Sequence, residues 1–174
     1  MANFSFKETI NNYMKLKKAL NFLKENPVYV GIAEDTAERN NEDEKEKVSV
    51  TNADLLFIHT KGSPVNNIPA RPVIEPAIED ASEKISKQMG MAAKKAMESN
   101  EEMAIKHLSL AGMYGQNASR SWFTNPKNNW PPNSPAVIAA KRRKGSTEPK
   151  PLIDTGELRK SITYFVDRKG TRTK

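Results

Sequence analysis

Along the first 25 residues apolar side chains return every third or fourth position: Ile10, Tyr13, Leu16, Leu20 and Leu23, with Lys15, Lys17, Lys18 and Lys24 between them. That spacing predicts an amphipathic helix over 6–25, with its apolar face packed on a core. Asn26-Pro27 ends the helix, because the residue before a proline is pushed out of the α region. VYVGIA (28–33) is β-branched and aromatic and predicts a short strand. In EDTAERNNEDEKEK (34–47), seven acids and three bases leave no apolar residue larger than alanine, so this stretch is expected to be a mobile acidic loop joining two strands.

VSVTNADLLFIHTKG (48–62) begins as a strand and turns helical. Thr51 or Asn52 can accept the free N–H groups of the first turn, and Gly62 can take the left-handed position that ends the helix. GSPVNNIPARP (62–72) holds three prolines and predicts an extended, rigid arm. Ile74, Ile78, Ala81, Ile85 and Ala92 then mark one long helix over 73–98, with Pro76 tolerated in its first turn. Asn100 caps a second helix over 101–119, in which Ala104, Leu108 and Ala111 share a face.

In NSPAVIAAKRRKGS (133–146) Ser134 suits the N-cap, Pro135 the first helical position, Lys141 to Lys144 the negative end of the dipole, and Gly145 the terminator. PLIDTGELRKSITYFV (151–166) opens with Asp154 or Thr155 as a cap and Glu157 three residues after Asp154, as in a capping box. From Ser161 the period changes to two, so a short helix feeds directly into a strand over 161–167. DRKGTRTK trails off as a basic, loosely ordered tail. The expected architecture is α+β: a small antiparallel or mixed sheet from 28–33, 46–51 and 161–167, with helices over 6–25, 73–98 and 101–119 packed on one side and the proline arm added.

Composition narrows the function. The 174 residues suit a single domain over 1–167 followed by the basic tail 168–174. With 37% hydrophobic and 28% charged residues, that core is lean and much of each helix should face water or a neighbour. Cysteine is absent, which removes disulfides, thiolate metal sites and cysteine nucleophiles. The N-terminus has neither a signal-peptide pattern nor an apolar run of membrane length, so a soluble, unprocessed chain is expected.

No glycine-rich phosphate loop, HExxH helix or GxSxG elbow is present, and His59 and His107 stand 48 positions apart without a motif around either. Packed or hydrogen-bonded roles are expected for both histidines. The acidic loop lacks the Asp-x-Asp-x-Asn-Gly pattern of a calcium site. The expectation is therefore a protein without enzymatic activity, cofactor or metal.

Charge offers one alternative. From Arg120 to Lys174 there are 13 Lys or Arg against 4 Asp or Glu, a net +9, leaving −2 of the total +7 for residues 1–119. With Trp122 and Trp130 close by in SWFTNPKNNWPP, this basic third could serve a nucleic-acid-binding protein. The Lys141–Lys144 run, however, already has a structural reason to be basic at a helix C-terminus.

Several segments carry a more specific signal: VYVGIA, TNADLLFIHTKGSP, NNIPARPVIEPAIED and WPPNSPAVIAAKRRKGSTEPKPLIDTGELRKSITYFV, in that order. Together they resemble the neck and tail-completion proteins of tailed bacteriophages, also called virion morphogenesis or minor tail proteins, over most of residues 28–166. Ile68-Pro69-Ala70-Arg71-Pro72, Pro131-Pro132-Asn133-Ser134-Pro135 and the stretch from Pro151 to Arg159 weigh most. The chain departs from that pattern at Thr60-Lys61-Gly62, where an acid and an aromatic often precede the glycine, and at Val73, where phenylalanine is frequent.

The resemblance implies a structural virion protein of the head–tail junction that joins head to tail and surrounds the DNA channel. It implies self-assembly into a ring, commonly a hexamer, in the host cytoplasm. The implied partners are the head-closure or connector protein and the tail-terminator or tail-tube proteins, with genome DNA passing through unread and no membrane contact. The expected subunit interface comprises Ile68, Pro69, Arg71, Pro72, Trp130, Asp154, Thr155 and Arg159. Arg71, fixed between prolines, suits a carboxylate or main-chain carbonyl on another subunit or near Asp154. As an exposed ion pair it would stabilise the fold by only about 0.2–1 kcal/mol.

Overall fold

The structure, a computed structural model, describes residues 6–33, 50–147, 149–168 and 171–173. The acidic loop 34–47 lies outside the described residues. In chain order the elements are α1 (Phe6–Glu25), β1 (Val28–Ile32), α2 (Asn52–Lys61), α3 (Ile74–Asp80), α4 (Ser82–Met97), α5 (Glu101–Trp122), α6 (Pro135–Arg143), α7 (Glu157–Ser161), β2 (Ile162–Arg168) and β3 (Thr171–Thr173). This is an α+β fold with long helices, as the hydrophobic pattern predicts.

The strand order is β1-β2-β3. β2 and β3 are antiparallel, with Val166 opposite Thr173, Asp167 opposite Arg172 and Arg168 opposite Thr171. Of the predicted strand 46–51, residues 46–49 lie outside the described residues, and Val50 and Thr51 are not strand; among the described residues the third strand is β3. The tail expected to trail off supplies this strand, since Thr171 and Thr173 are β-branched types that suit a strand beside β2.

Where length and composition suggest one core, the chain divides into two compact units. The first comprises Met1–Tyr29, Ala81–Gly115 and Tyr164–Lys174, and the second Val30–Asp80 and Gln116–Thr163.

In the first unit, Ala19, Ala96 and Ala104 form one buried cluster flanked by Phe22, and Ala92, Leu108 and Val166 a second. Alanines at the crossing points let helix axes approach closely. Asn100 caps α5 as predicted, its Oδ1 accepting from the Met103 N–H at 3.1 Å. The predicted 73–98 helix is instead two, broken at Ala81, whose φ of −95° and ψ of 5° leave the helical well. The apolar face predicted for α1 is also not where expected: Ala19 is buried and Phe22 and Leu23 half-buried, while Ile10, Tyr13, Leu16 and Leu20 are exposed.

Gly112 marks the tightest approach in this unit. A Cβ there would overlap the Tyr164 ring at Cδ2 and sit 3.0 Å from Val28 Cγ1. Gly112→Ala is expected to destabilise by about 1–3 kcal/mol through overpacking, read as a lowered denaturant midpoint with unchanged m-value.

The second unit is built on Val73, Ala77, Trp122, Phe123, Leu158 and Ile162, with Val30, Leu55, Leu56 and Trp130 packed against them. Arg120 holds the junction of α7 and β2 onto α5, donating through Nε to the Ile162 carbonyl at 2.9 Å and through Nη2 to that of Lys160 at 2.8 Å. α7 passes straight into β2, as the change of period predicts. Its start differs from the predicted capping box: Gly156, at φ 80°, is the N-cap, and of the two expected capping residues Thr155 serves the first turn from one position further back, its hydroxyl accepting from the Glu157 N–H at 3.4 Å.

Candidate functional site: a proline-lined groove

The second unit carries a groove of about 1180 Å³ between α2, the 62–71 segment, the Pro132–Lys141 segment and the 152–158 segment. Each wall has a local cause. Thr51 caps α2 with a full capping box, its hydroxyl accepting from the Asp54 N–H while the Asp54 carboxylate accepts from the Thr51 N–H. Gly62 then turns the chain at φ 74° and ψ 173°. The predicted extended arm folds back on itself: Ser63 and Ile68 form an antiparallel bridge around the 3₁₀ turn Pro64–Asn66, with Asn67 left-handed at φ 52°. Prolines that fix φ favour such a compact turn as readily as an extended arm.

Arg71 holds two of these walls together. It is only 5% exposed. Its Nε and Nη2 donate to the Pro131 carbonyl at 3.1 and 2.9 Å, and Nη2 donates to the Pro132 carbonyl at 3.1 Å. The guanidinium therefore forks onto main-chain oxygens of its own chain, not onto Asp154 and not as an exposed ion pair. The Arg71 N–H donates to the His59 carbonyl at 2.6 Å, which anchors the arm to α2.

Trp130 completes the attachment: its indole N–H donates to the Pro72 carbonyl at 3.0 Å, and its ring meets Phe123 edge-on at 5.7 Å. A third wall is fixed by Lys141, which donates to the carbonyls of Lys150 and Ile153, and by Asn133, which donates to that of Pro149.

Of the expected interface residues, the groove brings together Ile68, Pro69, Arg71, Asp154 and Thr155. Pro72 and Trp130 stand behind it as anchors, and Arg159 is half-buried on α7 outside the lining. His59, Lys61, Val137 and Lys141 also line it, although none of them was expected at the interface. Lys141 was masked by its place in a basic helix terminus, where the dipole alone accounts for a lysine.

Burial draws the Arg71 guanidinium below its ordinary range, though not so far that it loses its charge. Burial also lowers Lys141, with Asp154 opposing the shift and Arg71 adding to it. His59 is lowered by burial first and by Arg71 second, and its buried Nδ1 has no hydrogen-bond partner among the described residues.

Because its folded pKa is depressed, His59 favours the folded state above the unfolded histidine value of about 6.5, and that contribution is lost as pH falls below it. Thermal unfolding followed between pH 7.5 and 5.5 should show His59→Asn losing part of the acid sensitivity of the unmodified protein.

The lining thus mixes apolar residues such as Leu55, Ile68, Pro69, Pro132 and Val137 with polar ones such as Asn67 and Asn133, with Lys61, Asp154 and Glu157 adding charge, an arrangement suited to recognising a chain. Among the described residues, no three His, Asp or Glu side chains cluster to hold a metal ion, and no helix is long and apolar enough to cross a membrane. Comparison with protein families, curated proteins and solved structures finds no match to this chain.

Proposed function

We propose that the protein is a structural component of a tailed-phage head–tail junction, a neck or tail-completion subunit that assembles as a ring around the DNA channel. The observation that supports this reading is the convergence of three separate segments on one groove. IPARP, PPNSP and PLIDTGELR carry most of the sequence resemblance and lie far apart in the chain. Arg71 bonds the first to the second, and Lys141 bonds the helix after the second to the third.

A recess tied together by Arg71 and Lys141 suits a subunit that meets identical neighbours head to tail, since such contacts close only when the same shape repeats. In this reading the groove receives a segment of the adjacent subunit, and the partners are the connector on the head side and the terminator or tube on the tail side.

Val137 gives a test, because it lies in the groove lining and is 43% exposed. Val137→Glu should leave unfolding unchanged within about 0.5 kcal/mol, as surface substitutions do. It should abolish self-association in light scattering and the joining of heads to tails in an extract complementation assay. Unaltered assembly would remove the groove from the interface. Tight, steeply salt-dependent binding of random duplex DNA by the free subunit would instead favour a nucleic-acid-binding protein.

A further inference from the structure

α6 is a helix without a buried residue: over Pro135–Arg143 only Ile138 and Lys141 are half-buried, and the rest are exposed. Its end carries the one run of four consecutive cations in the sequence, Lys141-Arg142-Arg143-Lys144. Lys141 is engaged by the carbonyls of Lys150 and Ile153, and Arg143 reaches back only to the Ala139 carbonyl of its own helix at 3.5 Å. No carboxylate among the described residues pairs with the Arg142 guanidinium or the Lys144 ammonium. The helix dipole favours cations at this end but does not neutralise them.

The geometry of these cations narrows what can meet them. Successive residues turn by about 100° around a helix, so Arg142, Arg143 and Lys144 surround the helix end and form no stripe. A straight partner helix would face one or two of them. An extended chain crossing the end can reach all three, and it must be rich in carboxylates.

EDTAERNNEDEKEK (34–47) has that chemistry: seven acids against three bases, a net −4, and no apolar residue larger than alanine. It can bury no apolar area, so its contacts are ionic. Lys141 to Lys144 carry +4, equal and opposite. In a head-to-tail ring each subunit presents both halves of one contact, and two complementary patches on a single chain meet that requirement. The helix also adjoins the groove, whose lining includes Ser134, Val137 and Lys141.

We propose that the basic end of α6 binds the acidic segment 34–47 of an adjacent copy, an ionic contact beside the groove. The proposal rests on the ring reading above and names the neighbour's segment.

The test is a charge swap in the full chain, read as self-association by light scattering at low and high salt. Arg142→Glu/Arg143→Glu/Lys144→Glu takes the α6 end from +4 to −2, and Glu42→Lys/Asp43→Lys/Glu44→Lys takes the segment from −4 to +2. Each variant alone should associate at least about tenfold more weakly than the parent at low salt, and the parent itself should weaken as salt rises. An equimolar mixture of the two should regain the parent's association, because each supplies the charge that the other lacks. Mixing cannot rescue a frayed helix or a damaged fold.

Parent association that neither reversal weakens would overturn the proposal and leave the ring reading standing. A mixture as weak as its components would overturn it by placing the contact within one chain. A parent that stays monomeric at every salt concentration would remove it together with self-association. Loss of duplex DNA binding in the α6 variant, with self-association unchanged, would assign these cations to phosphates instead.

Discussion

Arg71→Ala is expected to destabilise the second unit by about 2–4 kcal/mol, since hydrogen bonds from a charged group contribute about 1.5–3 kcal/mol and two carbonyls lose their donor together. Part of that loss is recovered because Pro131 and Pro132 are exposed and water can reach their oxygens. Arg71→Lys should fall between, because an ammonium cannot fork onto both carbonyls from the same position. Denaturant unfolding of the three proteins gives the ordering directly. Equal midpoints would mean that the guanidinium holds nothing together. An assembly defect in Arg71→Ala would therefore follow from a displaced arm, and separating folding from joining requires Val137→Glu, which leaves Arg71 in place.

Gly62→Ala is expected to be at least as damaging, on the order of 3 kcal/mol, because strain and overlap coincide there. The backbone at φ 74° and ψ 173° lies in a region essentially reserved for glycine. An added Cβ would stand 2.8 Å from Ala70 N and 2.9 Å from Ile68 O. Both obstacles are backbone, and moving them breaks the Ser63–Ile68 bridge and draws Arg71 away from Pro131. Thermal unfolding should show a lowered midpoint, and peptide-bond cleavage by a nonspecific protease should concentrate in 62–71. A Gly62→Ala protein as stable as the parent would contradict the close packing of this turn.

Local chemistry in the sequence accounts for the parts of the fold it foretold. Thr51, Asn100 and Ser134 cap the helices they were expected to cap, since an N-cap depends on a side chain and the backbone two or three residues away. The passage from α7 into β2 was legible for the same reason. Long-range outcomes were not. Whether Ile10 to Leu20 faced a core depended on what α1 met in space, and periodicity alone cannot distinguish a buried stripe from one presented outward. Thr171–Thr173 joined the sheet because β2 offered a free edge, a fact absent from the tail's own composition. For the groove, residue types pointed to Arg71 and the prolines. Its partner carbonyls, about 60 positions away, carry no signal in sequence, because every residue has a carbonyl.

The central claim is that this chain is a ring-forming joint between head and tail. Electron microscopy of the purified protein mixed with DNA-filled, tailless phage heads tests it most directly. The account predicts a ring of copies at the portal vertex of each head, with the groove of every subunit covered by its neighbour. Heads without added density, beside protein that remains monomeric in the background, would contradict it.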